Sequence, residues 1–234
     1  RSKLRTVKVR WSTRMKMKPE ADLQQRFLFD TMGVRGELVR LDSSFKALLE
    51  NHDYPREIKA QLGEALSAAA LLASTIKLDG ALIMQVEGDG PMRTLIAQAN
   101  SDNTVRGLAH YDDSFETAAG FSELVGQGRM VITIDAQGSE RYQGIVELKG
   151  DSIAETLKTY FTQSEQLPTQ LWLTSIDGMA AGLLLNMGKE EVESLLEEMD
   201  VVETHCDFCM AKYNFDAVDV AALFSDAMPA EKGQ

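Results

Sequence analysis

Strand-like runs separated by tight-turn signals, one long helix pattern and a C-x-x-C pair near the end of the chain together predict an α+β fold. The expected architecture is a layered domain with a mostly antiparallel sheet packed by helices, plus a small C-terminal zinc-ribbon-like redox module.

Leu23, Phe27 and Leu28 share one face of a helix expected over 21–30. Gly33 to Leu41 reads as a strand, with Val34, Leu38 and Val39 as candidates for burial. Ser43 and Ser44 are candidate caps for a short helix carrying Phe45, Leu48 and Leu49. Pro55 opens a longer helix, in which Ile58, Leu62, Ala65, Leu66, Ala69, Leu72 and Ile76 recur at three- and four-residue steps. Its Ala-rich middle, LSAAALLAS, predicts close packing on a sheet. Beyond Asp79-Gly80, the runs ALIMQVEG, MRTLIAQA and TVRGLAHY are strands separated by GDGP and NSDN turns. A short helix follows near Phe121–Val125, then a hairpin of RMVITID and ERYQGIVEL joined by AQGS. Asp151 is a cap for a helix through Leu157 and Tyr160. LPTQLWLTS and MAAGLLLNM follow as strands around Asp177-Gly178.

The character changes at Gly188. KEEVESLLEEM reads as a short acidic helix with Val192, Leu195, Leu196 and Met199 on one face. HCDFC (205–209) comes next, then Tyr213 and Phe215 alternate as in a strand, and Asp216 suits the cap of a last helix. The chain therefore divides into a basic N-terminal extension or cloning remnant (1–18), a core domain (19–187) and a C-terminal module (188–234). The module is too short for a large core and would profit from a metal staple.

The formal net charge is −12, but residues 1–18 carry eight Lys/Arg and no acid, which leaves −20 on the remainder. So acidic a body repels phosphate backbones, and nucleic acid is not an expected partner. No run of about 18 apolar residues appears, so neither a transmembrane helix nor a membrane partner is expected. No apolar h-region follows the basic start. Two cysteines are too few for a secreted disulfide framework, and a close pair points to a reducing compartment, the cytoplasm.

Cysteines two residues apart can hold one metal or close a disulfide. Cys206 and Cys209 are therefore candidate zinc ligands and a candidate redox-active disulfide. Thioredoxin-type catalysts start a helix at the pair, which lowers the thiol pKa. Here a strand-like run, MAKYNF, follows Cys209, and Glu203, Asp207 and Asp216 place negative charge nearby. Both features favour a zinc knuckle, in which the metal deprotonates the thiols. The plain reading beside it is an inert pair of small side chains. His205 lacks a standard zinc spacing to Cys206, and His52 and His110 read as surface or packing residues.

The body has no nucleophile elbow, Walker loop or H-E-x-x-H, so no catalytic residue is assigned and no enzyme is expected. GDGP (88–91) lacks the Lys-Ser/Thr and the following helix of a phosphate loop and reads as a tight turn. Glu37, Asp89 and Glu165 lack an evident partner for acid–base work, and Arg35 with Glu37 makes a candidate structural ion pair.

VRGELV (34–39), ENHDYP (50–55), GDGPM (88–92), RYQGIV (141–146), YF-x-x-SEQLPT (160–169), AAGLLL (180–185) and HCDFC occur in this order. Together they resemble the bacterial redox-regulated heat-shock holdases, the thirty-three-kilodalton chaperonin family. The resemblance covers nearly all the chain after residue 18. It implies an ATP-independent chaperone that captures unfolding or oxidatively damaged proteins, often as a homodimer. It also implies zinc held in the reduced form by a C-x-C and a C-x-x-C pair, with disulfide formation and zinc release as the switch. Cys206 and Cys209 match the C-x-x-C pair, while Met210 stands where the family usually has Gly. The C-x-C pair is missing: Asn186 and Met187 pass straight to GKEEVESLL, where the resemblance expects several dozen further residues. Either that segment belongs to the protein without standing in this sequence, or it is truly absent. The first is favoured, because the half-module has little reason to persist alone. The competing readings are a dithiol–disulfide oxidoreductase using Cys206 and Cys209, and a zinc-ribbon adaptor.

Overall fold

The computed structural model describes residues 22–29, 34–50, 52–75, 79–112, 115, 120–136, 138, 140–162, 169–186, 201–205 and 212–216. The chain opens with β1 (Leu23–Phe29) and β2 (Val34–Leu41), then α1 (Ser43–Leu49) and the long α2 (Arg56–Thr75). Next come β3 (Gly80–Gly88), β4 (Met92–Asn100), β5 (Val105–Tyr111), α3 (Phe121–Val125), β6 (Gly128–Ala136) and β7 (Tyr142–Glu147). The body closes with α4 (Ile153–Tyr160), β8 (Thr169–Ile176) and β9 (Met179–Asn186). A separate hairpin, β10 (Val201–His205) with β11 (Lys212–Asp216), lies beyond.

The expected α+β class holds, with two antiparallel sheets in the body rather than one. The first and last hairpins combine as β1-β2-β9-β8, and the middle of the chain forms β5-β4-β3-β6-β7. Helix α2 packs against β2, β8 and β9 of the first sheet and against β3, β4 and β5 of the second. This explains its sequence. A helix touching sheets on two sides is buried nearly all round, and Ala65 through Leu72 are all buried. Small residues allow close approach: a Cβ on Gly63 would stand 2.3 Å from Ser175 Oγ, and one on Gly182 would stand 2.7 Å from Leu71 Cδ1. Leu62, Leu66 and Leu71 are fully buried on this helix, each contributing about 1.5–3 kcal/mol of transfer free energy.

Three local expectations are corrected. Residues 23–29 form an edge strand, not a helix, paired from Leu23↔Arg40 to Phe29↔Val34. Position Asp42, not a serine, is the N-cap of α1, and its own side chain makes no cap bond. The carboxylate of Asp22 accepts from the N–H of Asp42 at 2.7 Å, and from the N–H and the hydroxyl of Ser44. Finally, Ser152 rather than Asp151 caps α4: its hydroxyl accepts from Glu155 N–H at 3.1 Å, while the Glu155 carboxylate accepts from Asp151 N–H. The acidic helix expected near 189–199 and the last helix after Asp216 lie outside the described residues.

Candidate functional site

Side chains alternate across a strand, so each sheet has an inner face toward α2 and an outer face. In the four-stranded sheet, Val39, Leu41, Leu171, Ala180 and Leu184 point inward and are buried. The opposite set faces outward. Register aligns Gln25, Leu38, Leu183 and Trp172 in one cross-strand row, and Leu23, Arg40, Ala181 and Thr174 in the next. Met179 stands opposite Ile176, and Leu185 opposite Gln170. Trp172 is 49% exposed and Ile176 60% exposed, while Leu38, Met179, Leu183 and Leu185 are half-buried. Arg40 is the one charged side chain on this face among the described residues.

The outer face of the five-stranded sheet differs. It too carries apolar side chains, including the exposed Ile145, but polar pairs flank them. Arg129 and Gln85 both donate to Glu87, Gln98 donates to Asn100, Gln143 to Thr133, and Arg141 to Asp135. A solvated sheet face is expected to look like this one. The outer face of the four-stranded sheet presents aromatic and aliphatic side chains to the surface, as interaction surfaces do.

The sequence-predicted thiols lie elsewhere. Cys206 and Cys209 fall outside the described residues, in the stretch joining β10 to β11, whose last pair is His205↔Lys212. Strand β11 begins at Lys212, three residues after Cys209. A structural zinc takes four ligands, usually thiolates and imidazoles. This chain has two cysteines and three histidines. His52 is exposed and stacks on Tyr54 with ring centroids 5.1 Å apart, and His110 is exposed on β5. Among the described residues no three His, Cys, Asp or Glu side chains come together as a metal site. The two cysteines of this sequence would fill two of the four positions of such a site.

The remaining polar candidates are structural. The N–H groups of Asp89 and Gly90 donate to Gln127 O and Val125 O, and Asp89 Oδ1 accepts from Gln127 N–H at 2.7 Å. The GDGP turn therefore spends its donors on the chain and presents none of those to a phosphate. Glu37 is buried at 4% exposure and paired with Arg26 at 3.1 Å and Gln24 at 3.0 Å. The side chain of Arg35, its expected ion-pair partner, lies outside the described ones. Glu165 lies outside the described residues. Glu64 on α2 is pushed up to about 7 by burial. No helix among the described residues is long and apolar enough to cross a membrane.

A family model described as Hsp33 protein matches residues 22–186 and 176–216. The chain belongs to the Hsp33 family. Among curated relatives, the 33 kDa chaperonin of Nitrosococcus oceani is 36% identical over 89% of this chain and 96% of its own. That of Edwardsiella ictaluri is 31% identical over 92% and 99%. A solved 33 kDa chaperonin from Thermotoga maritima shares the fold, with a TM-score of 0.59 at 20% identity over 82% of this chain and 93% of its own. These Hsp33 relatives support a chaperone role, in a family of chaperones rather than enzymes. The first two alignments run over 279 and 290 positions, more than the 234 residues of this chain, so those relatives carry stretches with no counterpart here. The Hsp33 model resumes its match at Ile176, shortly before the Met187–Gly188 junction.

Sequence reasoning missed the apolar outer face. Its signal was present: Trp172 and Ile176 have the strand parity opposite to that of Leu171. Without knowing which residues face α2, neither parity could be assigned to the surface.

Proposed function

We propose that this chain is an ATP-independent holdase that binds extended apolar segments of unfolding proteins on the outer face of its four-stranded sheet. The observation that carries the reading is the row Leu38, Leu183 and Trp172, beside Met179 and Ile176, on a face with a single charge among the described residues. An unfolding chain exposes apolar side chains that lose water on such a face, at about 25 cal/mol per Å² of apolar area. No nucleotide is needed for that gain.

The switch in this reading is the thiol pair. Hydrogen peroxide takes one hydrogen from each of the Cys206 and Cys209 thiols. An S–S bond forms, the peroxide O–O bond breaks, and two waters leave. A cytoplasm that keeps thiols reduced is the compartment such a switch requires.

The experiment is suppression of thermal aggregation of an unfolding client, without ATP, before and after peroxide. Trp172→Ser with Ile176→Ser keeps the circular dichroism spectrum and loses most protection. Cys206→Ser removes the response to peroxide. Full protection by the sheet variant would overturn the docking face, and an unchanged peroxide response in the cysteine variant would overturn the switch.

A further inference from the structure

We infer that an unfolding client is held as an added strand along the open edge of β8, with backbone hydrogen bonds to Leu173 and Ser175 and apolar side chains beside Trp172 and Ile176. The inference rests on the holdase reading of the four-stranded sheet and names how that sheet grips its client.

Strand β8 ends the order β1-β2-β9-β8, so one side of it has no strand partner among the described residues. The turn to β9 decides which groups lie on that side. Asp177 and Gly178 form a two-residue turn with φ of 50° and 77°, closed by Ile176 and Met179. Positive φ at both positions marks a type I′ hairpin, whose closing residues exchange both backbone hydrogen bonds. Every second residue back from Ile176 therefore bonds to β9, Thr174 with Ala181 and Trp172 with Leu183. The N–H and C=O groups of Leu173 and Ser175 point the other way, to the open edge. No turn or cap bond among the described residues takes them. Their side chains turn inward: a Cβ on Gly63 of α2 would meet Ser175, and one on Gly182 would meet Leu173.

Sheet edges invite pairing with other chains, and folded proteins guard them with charges, proline or a covering element. The other edge strands of the body are guarded. Strand β1 carries Arg26 and β7 carries Glu147. Strand β5 carries Arg106, and its Ala109 N–H donates to the Tyr54 hydroxyl at 3.3 Å. Strand β8, TQLWLTSI, has neither a charged residue nor a proline.

The unguarded edge borders the apolar outer face. Leu183, with strands on both sides, is half-buried, whereas Trp172 and Ile176 at the edge are more exposed. Opposite an added antiparallel strand, Trp172 and Ile176 occupy non-hydrogen-bonded positions, where Cα atoms come to about 4.5 Å and side chains lie closest. A client with apolar residues at every second position covers both with one face. The amides in between bond to Leu173 and Ser175. Such bonds give affinity without reading side chains, which suits a protein that holds many sequences. Charge disfavours a second copy as the occupant: each chain carries −12, and two copies repel.

The probe is a short fluorescent peptide alternating valine and threonine, with a lysine at each end, titrated into the full chain. With the valines beside Trp172, the threonine amides face β8. N-methylation of the threonine amides should weaken binding about tenfold or more, and N-methylation of the valine amides less than about twofold. Amide exchange at Leu173 and Ser175 should slow in the complex. Equal sensitivity to both methylation patterns, indifference to both, or unchanged exchange would each overturn the added strand. Dimers of the chain that the peptide disperses would assign the edge to a second copy and overturn it as well. Trp172→Ser with Ile176→Ser separates the two readings. Loss of the peptide in this variant, together with indifference to methylation, keeps the client face and sinks the added strand. Undiminished binding sinks the face and the strand laid beside it.

Discussion

Asp22 ties the start of β1 to the start of α1, because its carboxylate collects the N–H groups of Asp42 and Ser44. Partial burial pushes its pKa up, but the hydrogen bonds from Ser44 and Asp42 outweigh that and hold it below the ordinary aspartate value. The stability this group adds is therefore present above the unfolded pKa and is lost as pH falls through the depressed one. Asp22→Ala should cost about 1 kcal/mol at neutral pH, as loss of a helix cap does. The difference should shrink in acid, and denaturant midpoints across pH check it. Glu64 has the opposite sign. Burial raises it from 4.5 to about 7, so the fold favours the neutral acid. That stability is full below pH 4.5 and is lost as pH rises through 7. Glu64→Gln should leave stability at pH 4.5 unchanged and raise it at pH 8 by about 1–2 kcal/mol, after discounting for partial exposure. Equal gains at both values would show that the carboxyl is not desolvated in the fold.

At the scale of elements, α2 decides how closely the sheets can approach. An alanine at position 63 would gain about 1 kcal/mol of helix propensity. Its Cβ, however, would lie 2.7 Å from Ser175 Cβ and 3.0 Å from Ala180 Cβ, neither of which is the end of a flexible chain. Overpacking of this kind costs about 1–3 kcal/mol, so Gly63→Ala should lower Tm despite its better propensity. Gly182→Ala meets only the tips of Leu71 and Leu173 within 3 Å and should cost less. The same close packing explains what was legible in the sequence. The helix pattern from Pro55 and the strand runs from Gly80 to Asn186 stand where their periods place them, because each buries one well-marked face or, for α2, nearly all of it. The stretch 23–29 was illegible, because Leu23, Phe27 and Leu28 fit a helical face and a strand equally well. Pairing with β2 over seven residues decided between them. The partition into two sheets was likewise hidden, since it rests on β2 pairing with β9 across almost the whole body. Strand β10 went unpredicted because VVETH is short and takes its place through register with β11.

Across the whole molecule, an apolar face is carried on a strongly acidic chain. The body beyond residue 18 holds a formal charge of −20, while the outer face of the four-stranded sheet has no acid among its described side chains. Burial of apolar groups there is short-range, whereas the field of the chain reaches about 10 Å at 0.1 M salt. In the proposed holdase reading, the sheet face sets affinity, and net charge sets how quickly clients arrive. Unfolded clients of positive net charge should be captured faster at low salt and slow by about tenfold as ionic strength rises from 0.02 to 0.5 M. Acidic clients should show the reverse trend. Stopped-flow anisotropy of two labelled unfolded proteins, matched in apolar content and opposite in charge, measures both rates. Dissociation rates should change far less with salt, because the contacts that hold the client are apolar. If salt moved dissociation instead of association, the holding contacts would be charged, and the Leu38–Leu183–Trp172 row would not be the surface that carries the client.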